Sequence, residues 1–181
     1  MKTHRTILFL LIAASLSVAG CNSRTEKSEG TVLLTAQSTT TPVVVSVSST
    51  TPGVFQIPSF AIHSIIKDPV GISSELQTIE MRSFTVTYRR RDTGTRVPAP
   101  IVRGLSGNVS PGGTLFVDNL PFLTLDQLLS QPLKDLAQFG RDTETGTAVI
   151  VLDVTFQFFG RTISGDDIAS EPTTFTIDVT P

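Results

Sequence analysis

Arg89, Arg90 and Arg91 end the run SFTVTYRRR and form the basic cluster of the chain. Guanidinium forks match the oxygens of phosphates and carboxylates. The three are therefore candidate contacts for an anionic partner, such as a lipid head group or an acidic polymer. The simpler alternative is a strand end whose arginines alternate into solvent and discourage edge pairing. Two acidic turns carry carboxylates that calcium could use: Asp142 with Glu144 in RDTETG, and Asp166 with Asp167 in SGDD. Calcium takes about six to eight oxygens. Each turn falls well short of that set, and turn chemistry alone explains Asp beside Gly.

Other groups form no catalytic set. Ser64-Ile65-Ile66-Lys67 has S-x-x-K spacing, but the companion strings S-D-N and K-T-G do not occur. GLSGNVSPGG is glycine-rich yet lacks the lysine and following helix of a phosphate loop. His63 lies among Ile62, Ile65 and Ile66, and neither G-x-S-x-G nor H-E-x-x-H occurs. Asp153, Asp166 and Asp167 could in principle pair for glycoside hydrolysis, but they fall in turns and on strand faces. The expectation is no catalytic residue, no metal site and no cofactor.

The elements that must position these residues read as β. Thr, Val, Ile and Phe dominate from Thr31 onward, with Pro and Gly at short intervals. Residues 31–52 read as one or two weak strands, with Val43-Val44-Val45 favouring a strand over a stalk, and Ile62 to Ile66 read as another. Phe84, Val86 and Tyr88 alternate with Ser83, Thr85 and Thr87, giving a strand with one buried face. A weaker strand carries Ile101, Leu105 and Val109. TLFV at 114–117 follows a PGG turn. LTLDQLLSQPLKDLAQF is the helical segment. Thr124 and Gln127 fit a capping box, Leu125, Leu128 and Leu129 share a face that should close one end of the core, and Pro132 breaks the run. TAVIVLDVTFQFFG should be the longest strand, buried on both faces at its start. FTIDV at 175–179 is the last, with Phe175, Ile177 and Val179 inward. This pattern predicts an all-β domain of two packed antiparallel sheets, an immunoglobulin-like β-sandwich with one or two short helices in a crossover connection.

The amino terminus has a different pattern. Lys2, His4 and Arg5 precede an apolar run from Ile7 to Leu16 and then small residues up to Gly20. A spanning helix needs about 20 apolar residues, so this run has the size of a signal-peptide core. Val18-Ala19-Gly20-Cys21 resembles the lipobox of bacterial lipoproteins. That resemblance implies cleavage between Gly20 and Cys21, a diacylglyceryl group on the thiol, and palmitate-type acylation of the new amino terminus. Several acyl chains hold stably where one holds marginally. In that family Asn rather than Asp after the cysteine leans toward the outer membrane, and residue 22 is Asn. In a bacterium the glycosylation string Asn108-Val109-Ser110 is silent. The runs TVTYRRRDTG and VTFQFFGRTISG also look like paired strands of bacterial lipoproteins with immunoglobulin-like sandwiches. That likeness spans roughly residues 78–181, and no activity attaches to it.

The expected organisation is a signal peptide over 1–20, a lipidated terminus and flexible tether over 21–30, and a β-sandwich over 31–181. The chain has 181 residues and a net charge of −2. Loss of Lys2 and Arg5 with the leader leaves 12 basic against 16 acidic residues, a net charge of −4. That argues against a nucleic-acid partner. Lipidation would consume the one cysteine, leaving no thiol for disulfides or zinc. The functional expectation is a lipid-anchored cell-envelope lipoprotein, a non-enzymatic binding or accessory module. Its partners would be the membrane, through Cys21, and an envelope protein. The alternatives are an envelope glycan hydrolase with a carboxylate pair and a carrier of an apolar ligand between the sheets.

Overall fold

A computed structural model describes residues 31–42, 44–47, 54–68, 70 and 74–181. The leader, Gly20, Cys21 and the tether lie outside the described residues, as does Val43. From Thr31 onward the described residues form one compact unit.

Among the described residues nine strands run β1 Val32–Ser38, β2 Val44–Ser46, β3 Phe55–Ile66, β4 Ile79–Arg90, β5 Ile101–Val109, β6 Thr114–Leu123, β7 Ile150–Thr162, β8 Asp167–Ala169 and β9 Thr173–Thr180. Two short helices, α1 Leu125–Leu128 and α2 Leu133–Phe139, lie between β6 and β7. One sheet has the order β1-β3-β6; the other has the order β2-β9-β7-β4-β5, with β8 also paired to β7. The two sheets pack into an all-β sandwich.

The sheets are not wholly antiparallel. β2 pairs with β9 in parallel, Val45 opposite Val179. The cause is topological: β1 leaves the small sheet and the chain continues in the same direction into the large one. It therefore meets β9 running alongside it.

Alternating apolar residues build the core. Phe84 and Val86 on β4, Leu152 to Phe158 at even positions on β7, and Phe175, Ile177 and Val179 on β9 are buried. Phe60 crosses from the small sheet to touch Phe156 at 4.9 Å and Phe158 at 5.3 Å between ring centroids. Phe122 meets Phe175 edge-on at 5.9 Å. Such rings combine a large buried area with favourable edge and offset contacts. They occupy the space between the sheets where an apolar ligand would have to lie, so the carrier reading gains no support.

Three expectations need correction. β3 begins at Phe55 rather than Ile62, despite Pro58. Proline has no N–H to donate, and β1 has already ended beside Phe60, so Pro58 breaks no ladder on that flank. Val149 is exposed and Val151 half-buried, so β7 is fully buried on one face only. Leu125 and Leu129 are exposed, while Leu133 and Leu136 of α2 are fully buried and close the core. The capping box of Thr124 and Gln127 is present, and Gly140 ends α2 with φ 65°, the left-handed conformation glycine favours there.

Candidate functional site

The strand alternation of β4 separates the three arginines. Arg89 and Arg91 are exposed, whereas the Arg90 side chain is only 2% exposed. Arg90 is therefore withdrawn from the set of anionic-partner contacts, and its burial equally overturns the reading of three solvated arginines. Its Nε and Nη2 donate to the two carboxylate oxygens of Asp92 at 2.6 and 2.7 Å. Nη2 also donates to Asp142 at 2.9 Å, and Glu144 lies 3.7 Å from Nη1.

Each of the three acids then binds loop backbone. Asp92 accepts from the N–H of Gly94 at 3.0 Å and of Val151 at 3.3 Å. Asp142 accepts from the N–H and hydroxyl of Thr145 at 3.1 and 2.7 Å. Glu144 accepts from the N–H groups of Thr95 and Arg96 at 2.9 and 3.0 Å. The cluster thus clamps the β4–β5 loop to the α2–β7 loop at one end of the sheet. Gly94 sits against the guanidinium, where a Cβ would meet Arg90 Cζ at 2.2 Å.

These contacts set the charges. The bond from Arg90 holds the Asp92 carboxyl below its ordinary pKa, against the opposing effect of burial. Burial resists ionisation of Asp142, but the bonds from Thr145 and Arg90 outweigh it and its pKa is also lowered. The Thr95 hydroxyl and the two N–H groups lower Glu144. For Arg90, burial favours the neutral form, but Asp92 and Asp142 together raise its pKa. Asp142 and Glu144, one of the two calcium candidates, therefore serve this clamp.

The remaining candidates are scattered. Asp166 accepts from the Ser164 hydroxyl at 2.9 Å within the β7–β8 turn. Asp167 is 87% exposed and lies 3.7 Å from Arg161. Asp153 accepts from Thr176 at 2.7 Å. Asp167 is registered with Arg161, far along β7 from Asp153, a span of about 26 Å at strand rise. Glycosidase carboxyls stand at most about 9.5 Å apart, so Asp153 cannot pair with Asp166 or Asp167 in that way. Ser64 is buried and its hydroxyl has no partner. Lys67 lies past the end of the strand and is exposed. His63 faces outward and bonds the Thr114 hydroxyl at 2.8 Å. Among the described residues no group of three or more His, Cys, Asp or Glu is placed to hold a metal ion, and no helix is long and apolar enough to cross a membrane.

Sequence reasoning missed a concavity on the outer face of the large sheet. It has a volume of about 270 Å³ and is lined by Arg82, Ser83, Phe159, Gly160, Asp167, Ile168 and Ala169. A register shift between Met81 and Ser83 sets Arg82 out of the ladder, as bulges do when they re-aim a side chain. Gly160 admits the close approach of β4: a Cβ there would meet Glu80 O at 2.8 Å.

Comparison of the chain with family models, with curated proteins and with solved structures finds no match.

Proposed function

We propose that the chain is a lipid-anchored cell-envelope protein whose β-sandwich is a non-enzymatic binding module for another envelope protein. The lipobox-like Val18-Ala19-Gly20-Cys21 supports an anchor on Cys21, and Asn22 supports the outer membrane. The finer fold reading is an immunoglobulin-like sandwich. In its support, β1-β3-β6 follow the order of strands A, B and E, and β9-β7-β4 the order of G, F and C. Phe60 and Phe156 meet between β3 and β7, the strands that correspond to the disulfide-linked B and F of antibody domains, and Phe84 of β4 packs beside them on the counterpart of the strand that carries the Trp.

The observation that carries the binding role is the outer-face concavity around Phe159. An apolar recess with a few convergent polar groups is the usual form of a recognition site. Cross-linking of intact membranes tests the reading. A specific protein adduct is expected, and recovery of only the uncross-linked monomer would count against it.

A further inference from the structure

Thr31 marks the place where the chain enters the sandwich. Its carbonyl accepts from the Lys67 N–H at 3.1 Å, and its hydroxyl accepts from Gln77 Nε2 at 2.9 Å. Gln77 belongs to a single helical turn, Glu75–Gln77, that leads into β4. Hydrogen bonds join this turn to the β7–β8 turn. The Ser164 N–H donates to the Leu76 carbonyl and the Ile163 N–H to the Thr78 carbonyl, both at 3.0 Å. The entry point and both turns therefore share one end of the sandwich, and the Arg90 clamp lies at the other end of β4.

Aliphatic side chains stand out from the entry end. Leu76 is 56% exposed, Ile163 51%, and Val70, which follows β3, 93%. Backbone bonds hold all three in place. Besides the two bonds above, the Leu76 N–H donates to the Ser74 hydroxyl at 3.3 Å and the Val70 N–H to Asp68 Oδ1 at 3.0 Å. None of the three belongs to the core. Lys67 shares this end with Asp68, Glu75 and Asp166, all exposed, so charge does not select an anionic surface. Chain length selects what these residues meet. Thr31 stands ten positions after Cys21, at most about 36 Å away at full extension. β7, with 13 residues, runs the length of the sandwich, about 40 Å at strand rise. With Cys21 in lipid, the domain cannot stand on its opposite end, where Leu125, Leu129 and Phe139 are exposed.

We infer that the entry end of the sandwich rests on the bilayer, with Val70, Leu76 and Ile163 seated in the apolar edge of the membrane interface. A short tether acts as an effective concentration in the millimolar range. It populates a shallow apolar contact that would be too weak for a free domain. The helical end then points away from the membrane. The inference rests on the lipid anchor at Cys21 and is independent of the protein-binding role.

Lipidation consumes the thiol of Cys21, so an introduced cysteine takes a thiol-reactive fluorophore alone. Val70→Cys and Leu129→Cys are labelled in the full chain, purified from bacterial membranes and held in phosphatidylcholine nanodiscs. Each label is quenched by iodide from the water and by nitroxide lipid from the bilayer, and the mass of the intact chain reports its acyl groups. The label at position 70 should be quenched by the lipid and shielded from iodide, and the label at position 129 the reverse. Leu76→Glu and Ile163→Glu, on different turns, are each added to the Val70→Cys chain. Each should lower the ratio of docked to free domain about tenfold, while the chain stays in the nanodisc and melts as the parent does. An acylated chain whose label at position 70 stays open to iodide overturns the inference and leaves the anchor standing. A chain without acyl groups overturns both. Lipid quenching that appears only with added phosphatidylglycerol overturns the apolar contact. A label shielded by a second copy, seen as a cross-linked dimer, overturns it too.

Discussion

Arg90 grips Asp92, two residues further along the chain, through both carboxylate oxygens at 2.6 and 2.7 Å. The fork turns the end of β4 back on itself and presents the same guanidinium to Asp142, 2.9 Å away on the α2–β7 loop. Two loops distant in sequence are thereby tied across one end of the sandwich.

Removing the guanidinium leaves the buried Asp142 and the half-buried Asp92 without their counter-charge. Arg90→Ala should cost about 3–5 kcal/mol of stability, read as a lower midpoint in urea unfolding. Gly94→Ala should also destabilise, since its Cβ would occupy the place of the guanidinium. Arg89→Ala, at an exposed position, should stay within about 0.5 kcal/mol of the parent.

Acid should open the same clamp. Asp92, Asp142 and Glu144 all have lowered pKa values when folded. Such groups contribute stability above their unfolded pKa and lose it as pH falls through the folded value. Unfolded Asp and Glu titrate near about 3.9 and 4.3, so stability should drop below about pH 4. The double variant Asp92→Asn with Asp142→Asn should be less stable at neutral pH and lose less between about pH 4 and 2. Thermal melts across that range check the difference in slope.

Tyr88 links the large sheet to the helical crossover. Its hydroxyl donates to the Phe122 carbonyl at 2.6 Å and accepts from Gln127 Nε2 at 2.9 Å. Burial pushes its pKa up, with the Gln127 bond working against that. Gln127, itself buried, also donates to the Ala99 carbonyl. Tyr88→Phe should cost about 1–3 kcal/mol by leaving buried polar groups short of a partner. Faster amide exchange at Leu128 and Leu129 should accompany it.

Much of this frame is legible in the sequence, because short-range pattern determines it. The alternation of Phe84, Val86 and Tyr88 marks the buried face of β4, and Thr124 with Gln127 marks the start of α1. Continued by two residues, that alternation also turns Arg90 inward, a signal hidden by reading the three arginines as one patch. Asp92 is its near neighbour in sequence, but Asp142 and Glu144 come from a turn about fifty residues away, and periodicity carries no information about such a meeting. Leu125 and Leu129 show why an apolar face does not identify what covers it: Leu133 and Leu136 take the core position instead. The recess at Phe159 depends on the register of four strands and on a bulge at Arg82. Neither is specified by residues adjacent in sequence.

Membrane fractionation of Cys21→Ser against the parent chain tests the anchor most directly. The parent should sediment with the membranes, carrying a diacylglyceryl group on Cys21. The variant should appear in the soluble fraction or keep its leader uncleaved. Identical fractionation and identical processing of the two chains would contradict a lipid-anchored protein.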